Sequence, residues 1–280
     1  MKWGTVAITG ANGQVGRQLL ASLRGRCETT IALVRDPADL PASEVIADWT
    51  NSAEAREAIA RSEAIVHLAG SLKPARGDYR AANLETTQAL LSEIAGDRTR
   101  RLVFLSYVGA HEEATNPYLR TKAQAERLLQ ASGCPVTIFR CTHIVGSPHN
   151  PGRTAQNWLA EAGKTVLVLG SGRQQIAPIY LDDVVGAIVA ALDRDRDGIF
   201  DLAGPECRPL DEWICAFNGS DRVKLVHLPA FIARWLPRIV PDLPGALIEV
   251  MLADSVGNPD AAIAAFGIQL TSLTQVWRSD

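Results

Sequence analysis

Thr9-Gly10-Ala11-Asn12-Gly13-Gln14-Val15-Gly16 is the stretch whose reading decides the fold of this chain. Thr5-Val6-Ala7-Ile8 before it is apolar and β-branched, and reads as a buried strand. After it, 17–23 continues a helical pattern with apolar positions at Val15, Leu19, Leu20 and Leu23. Strand, glycine turn and helix together form the context of a dinucleotide-binding loop. Gly10 allows the tight turn off the strand, Gly13 lets backbone approach a pyrophosphate, and Gly16 lets the helix lie close to the sheet. Asn12, Gln14 and Val15 complete the loop, where the N–H groups opening the helix face the phosphates.

Outward from the loop, strand and helix patterns keep alternating. The runs 28–34, 44–47, 64–68, 101–105 and 135–140 read as strands. Helical patterns occupy the intervals, with Asn51 expected to cap a helix to about Arg61, a long helix over 79–95 and another over 117–132. That alternation predicts an α/β fold, a doubly wound parallel sheet with helices on both faces. Ligands of such sheets sit at the carboxyl ends of the strands, here Gly10, Arg35, Asp48, Ala69, Ser106 and Cys141. Beyond residue 146 prolines, glycines and shorter elements appear, which divides the chain into a nucleotide-binding domain, 1–146, and a smaller substrate lobe, 147–280, interleaved with it. In that lobe Asp183 is expected to cap a helix over 184–193, and 198–202 reads as a strand. The stretch 228–252 reads as helix broken by Pro229, Pro237, Pro241 and Pro244.

The 280 residues have a globular composition, 47% apolar and 21% charged. A net charge of −3 supplies no general basic field, so no nucleic-acid partner is expected. Neither a leader sequence nor a run of about eighteen apolar residues is visible, so the expectation is a cytoplasmic protein without an integral membrane segment. Cys27, Cys134, Cys141, Cys207 and Cys215 are odd in number and form no Cys-x-x-Cys, which points to free thiols. The histidines are dispersed, and no metal site is expected.

Ser106, Tyr118 and Lys122 carry the sharpest chemical signal. Asn116-Pro117 reads as a helix cap followed by proline at the first helical position. Tyr118 and Lys122, four apart, then share a helix face near the positive helix end. An ammonium beside a phenol is expected to lower the phenol's pKa, and such a phenol exchanges a proton with a carbonyl or hydroxyl oxygen. Ser106 ends the preceding strand and could bond the same oxygen. Asn83 is either an exposed asparagine tolerated by its helix or an amide that holds a water or carbonyl near Lys122. His67, in an apolar strand, reads as a satisfied core histidine. Arg35 follows the second strand, where an arginine accommodates the 2′-phosphate of NADP and an acid binds the 2′-hydroxyl of NAD. Asp36 next to it keeps NAD(H) as the less favoured cofactor. Asp48-Trp49 could meet adenine with a carboxylate and a backbone N–H, or Asp48 could only start the following turn. The backbone of Cys141, His143 and Ile144 is placed to meet a nicotinamide amide. Around the substrate, Trp158, Ile179, Tyr180 and Trp213 make an apolar lobe, with Arg173 as its anion contact.

With these residues assembled, the chain resembles the extended or atypical short-chain dehydrogenases/reductases along nearly its whole length. Thr9-Gly10-x-x-Gly13-x-x-Gly16 matches the family's cofactor loop, and His67-Leu68-Ala69-Gly70 resembles its segment after the fourth strand. Asn83-Leu84-Glu85-Thr86-Thr87 is similar to the family's Asn-x-x-Gly-Thr, with Thr86 in place of glycine. Ser106 and Tyr118-x-x-x-Lys122 match its catalytic serine, tyrosine and lysine. The segments 104–110, 118–122, 170–178 and 182–184 look most like the branch that includes bacterial relatives of the nucleotide-binding accessory subunit of respiratory complex I. The resemblance implies a Rossmann fold, NADP(H) in the loop, Leu68, Ala69 and Gly70 along the cofactor, Tyr118 and Lys122 at the nicotinamide ribose, and Asn83 with the catalytic set. It implies an NADP(H)-dependent oxidoreductase acting on a carbonyl or the corresponding alcohol. It leaves open a non-catalytic nucleotide-binding subunit or redox sensor, and a sugar-nucleotide epimerase. The stretch 228–252 reads as core packing or as a surface facing a partner or membrane, and the chain as a monomer or dimer.

Overall fold

The computed structural model describes residues 3–94, 96–97, 99–161, 163–219, 223–240 and 243–278. Strand β1 (Trp3–Thr9) leads through the glycine loop into α1 (Gln14–Leu23) and β2 (Cys27–Leu33). Next come β3 (Glu44–Ile46), α2 (Ala53–Ala60) and β4 (Ala64–His67). A π-helical turn, Arg80–Glu85, runs into α3 (Thr86–Ile94). Then follow β5 (Arg101–Tyr107), α4 (Pro117–Ala131), β6 (Val136–Cys141), α5 (Leu181–Asp193) and β7 (Gly198–Leu202). The sheet has seven strands in the order β7-β6-β5-β4-β1-β2-β3, and every pair is parallel.

Alternating side chains explain why helices cover both faces. Val6 and Ile8 of β1 pack with Leu19, Leu20 and Leu23 of α1 and with Val184 and Ile188 of α5. Ala7 of the same strand, with Ile31, Leu33 and Ile65, faces Ile59 of α2, Leu90 of α3 and Leu129 of α4. The chain order reverses between β1 and β4, which is where a doubly wound sheet opens a crevice at its strand ends. The strand read over 198–202 is not confined to the second lobe. It extends the central sheet beside β6, and α5 packs beside α1.

The second lobe has its own core of Val145, Trp158, Trp213, Phe217 and Leu273. A two-stranded parallel ribbon pairs Thr165–Leu169 with Lys224–Leu228. Helix α6 (Leu210–Asn218) lies in the lobe's core, and α7 (Gly245–Leu252) lies over the strand ends.

Local expectations were corrected in three places. Ser52, not Asn51, caps α2, its hydroxyl accepting from Ala55 N–H; Asn51 instead donates to the Asp48 carboxylate. Helix α5 begins at Leu181, so Asp183 lies in its first turn, where its carboxylate accepts from the N–H and hydroxyl of Thr271. The 228–252 stretch is not one broken helix: Ala230–Ala233 and Leu236–Arg238 are single turns, and α7 follows Pro244. Pro241 lies outside the described residues.

Candidate active site

Asn116 caps α4, accepting from Tyr118 N–H at 3.0 Å, with Pro117 in the first turn as its missing donor permits. The cap fixes where Tyr118 and Lys122 emerge beside the end of β5. The Lys122 ammonium donates to the Leu105 carbonyl at 2.9 Å and stands 4.6 Å from the centre of the Phe104 ring. Burial pulls its pKa down to about 8, against the opposing charge of Glu126. Glu126, one turn further along α4, is itself buried and held by both arms of Arg140.

Gly70, at the end of β4, is where two of the polar groups converge. A Cβ there would stand 2.8 Å from Asn83 Oδ1 and 2.9 Å from Lys122 Nζ, so only glycine fits. The π turn carries Asn83 into this corner, fully buried. Its Oδ1 accepts from Ser71 N–H, and its amide donates to the carbonyls of Ser71 and Tyr79. Asn83 therefore clamps the strand-end backbone beside Lys122, the second of the two readings open to it.

His67 extends the clamp through the core. Thr9 Oγ1 accepts from the N–H groups of Leu68 and Ala69, so its own proton points to His67 Nδ1, 2.7 Å away. That makes Nε2 the protonated nitrogen, donating at 3.0 Å to Thr87, which donates in turn to the Asn83 carbonyl. Burial, then the Lys122 charge, push the His67 pKa down to about 3, so the ring is neutral at physiological pH. The core-histidine reading holds, and the ring ties β1, β4 and α3 together.

Tyr118 departs from expectation. Its phenol is raised above the ordinary value, first by burial and then by the neighbouring Tyr107, Cys141 and Tyr79. The ring packs among Tyr79, Tyr107, Ala246 and Val250, while the lysine that was to lower its pKa is bonded to a carbonyl. Ser106 is 5% exposed, and its Oγ is buried without a protein partner.

Tyr107 packs beside Tyr118, a neighbour that sequence reasoning had not singled out for the site. Its ring meets Tyr118 edge-on at 5.9 Å, and its hydroxyl bonds His143 Nδ1 at 3.0 Å and Ser255 Oγ at 3.1 Å. The available signal was its place directly after Ser106. Burial lowers the His143 pKa to about 4. The backbone expected to meet nicotinamide is partly committed elsewhere: Ile144–Val145 pairs with Ile179–Tyr180, and the His143 carbonyl accepts from Ile179 N–H. Cys141 is buried, and that burial raises its thiol.

A groove of about 600 Å³ runs from the glycine loop to the end of β4. Gly10, Asn12, Gly13, Arg35, Trp49, Leu68, Ala69 and Gly70 line it, joined by Asp36 and Glu85. Asp48 does not: its N–H donates to the Arg35 carbonyl and its carboxylate accepts from Asn51, so it serves the turn. Arg17 braces the loop through the carbonyls of Asn12 and Asp39. Arg173 is exposed in a second groove with His227 and Arg234, and neither groove's lining includes Ser106, Tyr118 or Lys122. Tyr180 packs against the second lobe's core.

The first groove fits a dinucleotide on the chain's own geometry. Gly10 has φ +66°, and a Cβ there would come within 2.9 Å of the Ala69 nitrogen. At Gly16 it would come within 2.6 Å of Ala11 backbone, so loop and helix are as close as a pyrophosphate cradle needs. Helix α1 opens at Gly13 with no acid in its first turn, leaving its positive end open to an anion. Gln14 Nε2, at that helix start, is buried with no acceptor from the protein. Among the described residues no cluster of His, Cys, Asp or Glu has metal-binding form, and no helix is long and apolar enough to cross a membrane.

Comparison with known proteins agrees with this geometry. The family described as "NAD dependent epimerase/dehydratase family" matches residues 6–203. The 3-diazoavenalumate denitrifying reductase of a Streptomyces species is 28% identical over 240 residues, covering 75% of this chain and 79% of its own. NADH dehydrogenase [ubiquinone] 1 alpha subcomplex subunit 9 of Arabidopsis thaliana mitochondria is 25% identical over 216 residues, covering 71% of this chain and 53% of its own. Among solved structures, MoeE5 in complex with UDP-glucuronic acid and NAD superposes with a TM-score of 0.77 at 21% identity, covering 99% of this chain and 97% of that one. The chain thus belongs to the NAD dependent epimerase/dehydratase family, within the extended short-chain dehydrogenases/reductases, a group of NAD(P)-dependent oxidoreductases and epimerases.

Proposed function

We propose that this protein is an NADP(H)-dependent reductase of a carbonyl group on an apolar or aromatic body. The observation that carries the reading is the meeting of Lys122, Asn83 and Gly70 at the end of β4, beside a strand end that holds Ser106 and a helix start that holds Tyr118. Gly10, Gly13 and Gly16 with the start of α1 would hold the pyrophosphate, and Arg35 the 2′-phosphate. Lys122 would hold the nicotinamide ribose, its ammonium kept in place by the Leu105 carbonyl. When bound, the nicotinamide supplies the hydride.

The protein's own part is the proton. A phenol raised by burial stays protonated at neutral pH, so Tyr118 begins turnover as the acid. It gives its proton to the oxygen on which negative charge develops during reduction. The Ser106 hydroxyl donates a hydrogen bond to the same oxygen, finding there the partner that the protein does not provide. The substrate class is read from the apolar side chains packed around Tyr118, which include Leu72, Tyr79, Tyr107, Leu119, Ala246 and Val250. Those walls suit an apolar ketone or aldehyde better than a phosphate-bearing sugar nucleotide.

A non-catalytic nucleotide-holding subunit is the second reading, favoured by the cover that Ala246 and Val250 place over Tyr118. One experiment separates the two. The nucleotide that copurifies is identified by mass, and a panel of carbonyl compounds is screened by loss of reduced cofactor. On a substrate so found, Tyr118→Phe should lower kcat roughly 10²–10⁴-fold and leave nucleotide affinity intact. Wild-type turnover in that variant would remove Tyr118 from the mechanism, and no turnover across the panel by the NADPH-loaded wild type would favour the second reading.

A further inference from the structure

Between the second-lobe ribbon and α7, the segment 229–240 is apolar on two sides. Inward, Ala233 is fully buried, and with Leu236 it packs against Leu169, Ile248 and Leu252. Outward, Phe231 is 68%, Trp235 61% and Ile239 75% exposed. Apolar residues scattered singly on a surface need no explanation, but here they crowd one short segment that already has a packed inner face. The stretch 223–240 holds Lys224, Arg234 and Arg238 and no acid, in a chain whose net charge is −3. Arg238 lies 4.3 Å from the centre of the Trp235 ring, and Arg234 pairs with Glu249 of α7.

We propose that this face docks on an anionic lipid bilayer surface. Trp235 is amphipathic and suits the level of the headgroups, with Phe231 and Ile239 entering the acyl boundary beside it. Arg238, stacked on the indole, keeps its cation at headgroup level while its stem lies on apolar surface. Arg238 and Lys224 are the cations this segment offers an anionic lipid, Arg234 being paired with Glu249. The turns Ala230–Ala233 and Leu236–Arg238 are far too short to span, so the contact is one of lying on the surface. The docked face is continuous with the candidate site: Ala233 packs on Ile248 of α7, and Ala246 and Val250 of the same helix cover Tyr118. Docking would therefore set the cover of Tyr118 at the membrane, and it stands apart from the reaction proposed above.

Flotation of the full chain with phosphatidylcholine vesicles, alone or mixed with phosphatidylglycerol, tests the proposal. Wild type should rise with the mixed vesicles, and less so as salt is added. The double variant Trp235→Ser/Ile239→Ser should lose roughly tenfold or more of the bound fraction, and Arg238→Ala part of it. Equal urea midpoints for the variants and wild type would show that the loss is at the surface, and Phe231→Ser serves if the double variant fails to fold. The proposal is overturned if wild type stays unbound with both vesicle types, or if the double variant floats as well as wild type. It is also overturned if sedimentation shows a wild-type dimer that the double variant dissolves, since the face would then cover a second copy.

Discussion

Replacing Lys122 with methionine should make the folded protein more stable while weakening its hold on nucleotide. Burial lowers the lysine pKa from the ordinary 10.5 to about 8. At 1.36 kcal/mol per pH unit, holding the ammonium inside costs about 3 kcal/mol at pH 7. Methionine has a similar length and carries no charge. It forfeits the bond to the Leu105 carbonyl, about 1 kcal/mol for a neutral donor. The balance is a gain of about 2 kcal/mol at pH 7. Its pH dependence follows from linkage. Between about 8 and 10.5 the folded state binds fewer protons at this site than the unfolded state does, so wild-type stability rises with pH across that window. The variant has no such rise, and its advantage should vanish by about pH 10.5, leaving it slightly less stable. Urea titrations of both proteins from pH 7 to 10.5 measure this, with nucleotide affinity measured in parallel at pH 7. A variant less stable than wild type at pH 7, or a gap that does not change with pH, would refute the reasoning. A more stable variant with undiminished affinity would keep the burial argument and remove Lys122 from the cofactor site.

Three further outcomes are expected. Arg35→Ala should weaken NADPH binding roughly ten- to a hundredfold, the worth of a charge-assisted hydrogen bond, and leave NADH nearly unchanged; equal losses in a titration would unseat the assignment. Gly70→Ala pushes a methyl against Asn83 Oδ1 and Lys122 Nζ, so kcat/KM should fall about 10²-fold for a stability loss of about 1–3 kcal/mol, and an unchanged rate would mean that this corner has slack. His67, neutral down to about pH 3 in the fold, binds fewer protons there than unfolded histidine does below about 6.5, so it costs wild type stability as pH falls. Urea midpoints at pH 7 and pH 5 should therefore show His67→Gln losing about 2 kcal/mol less than wild type over that interval, and equal losses would mean that the ring is not held neutral.

How much of this was legible in the sequence depended on how local each signal was. The loop from Gly10 to Gly16 was legible because each glycine answers a backbone approach within a few residues, as with Gly16 against Ala11. The Asn116-Pro117 cap was legible for the same reason. Strands of the central sheet were legible because burial on both faces leaves continuous apolar runs. Other features depend on which segments meet. Ser52 and Asn51 are both capping residues, and the two sequences look equally good until Asp48 takes the Asn51 amide. Asp183 reads as a cap until Thr271, far along the chain, comes to rest on its carboxylate. The direction of the Tyr118 shift was misread because spacing along α4 gives the neighbours on one helix, whereas the ring is buried by Tyr79, Tyr107 and α7. Arg173 was placed at the substrate by its segment, yet it opens on a groove apart from Tyr118.

The same distinction bears on how the site is held. Lys122 and Tyr118 come from one helix start, but the corner Lys122 enters is built by other elements: the Leu105 carbonyl of β5 accepts its bond, Gly70 after β4 leaves room for it, and Asn83 of the π turn lies on the other side of Gly70. A π turn carries one more residue than an α turn of the same hydrogen-bond count, and such turns recur at functional sites because they turn a side chain out of the regular repeat. Here that side chain is Asn83, which no propensity argument would bury in a helix. Its three hydrogen bonds, to Ser71 and Tyr79, explain why burial is tolerated, and its carbonyl is anchored through Thr87 to the neutral ring of His67. Thr9, at the foot of the glycine loop, closes the chain of bonds on the other side. The loop that would hold the pyrophosphate and the corner that would hold the ribose are thus one hydrogen-bonded unit, and a change at either end should be felt at the other.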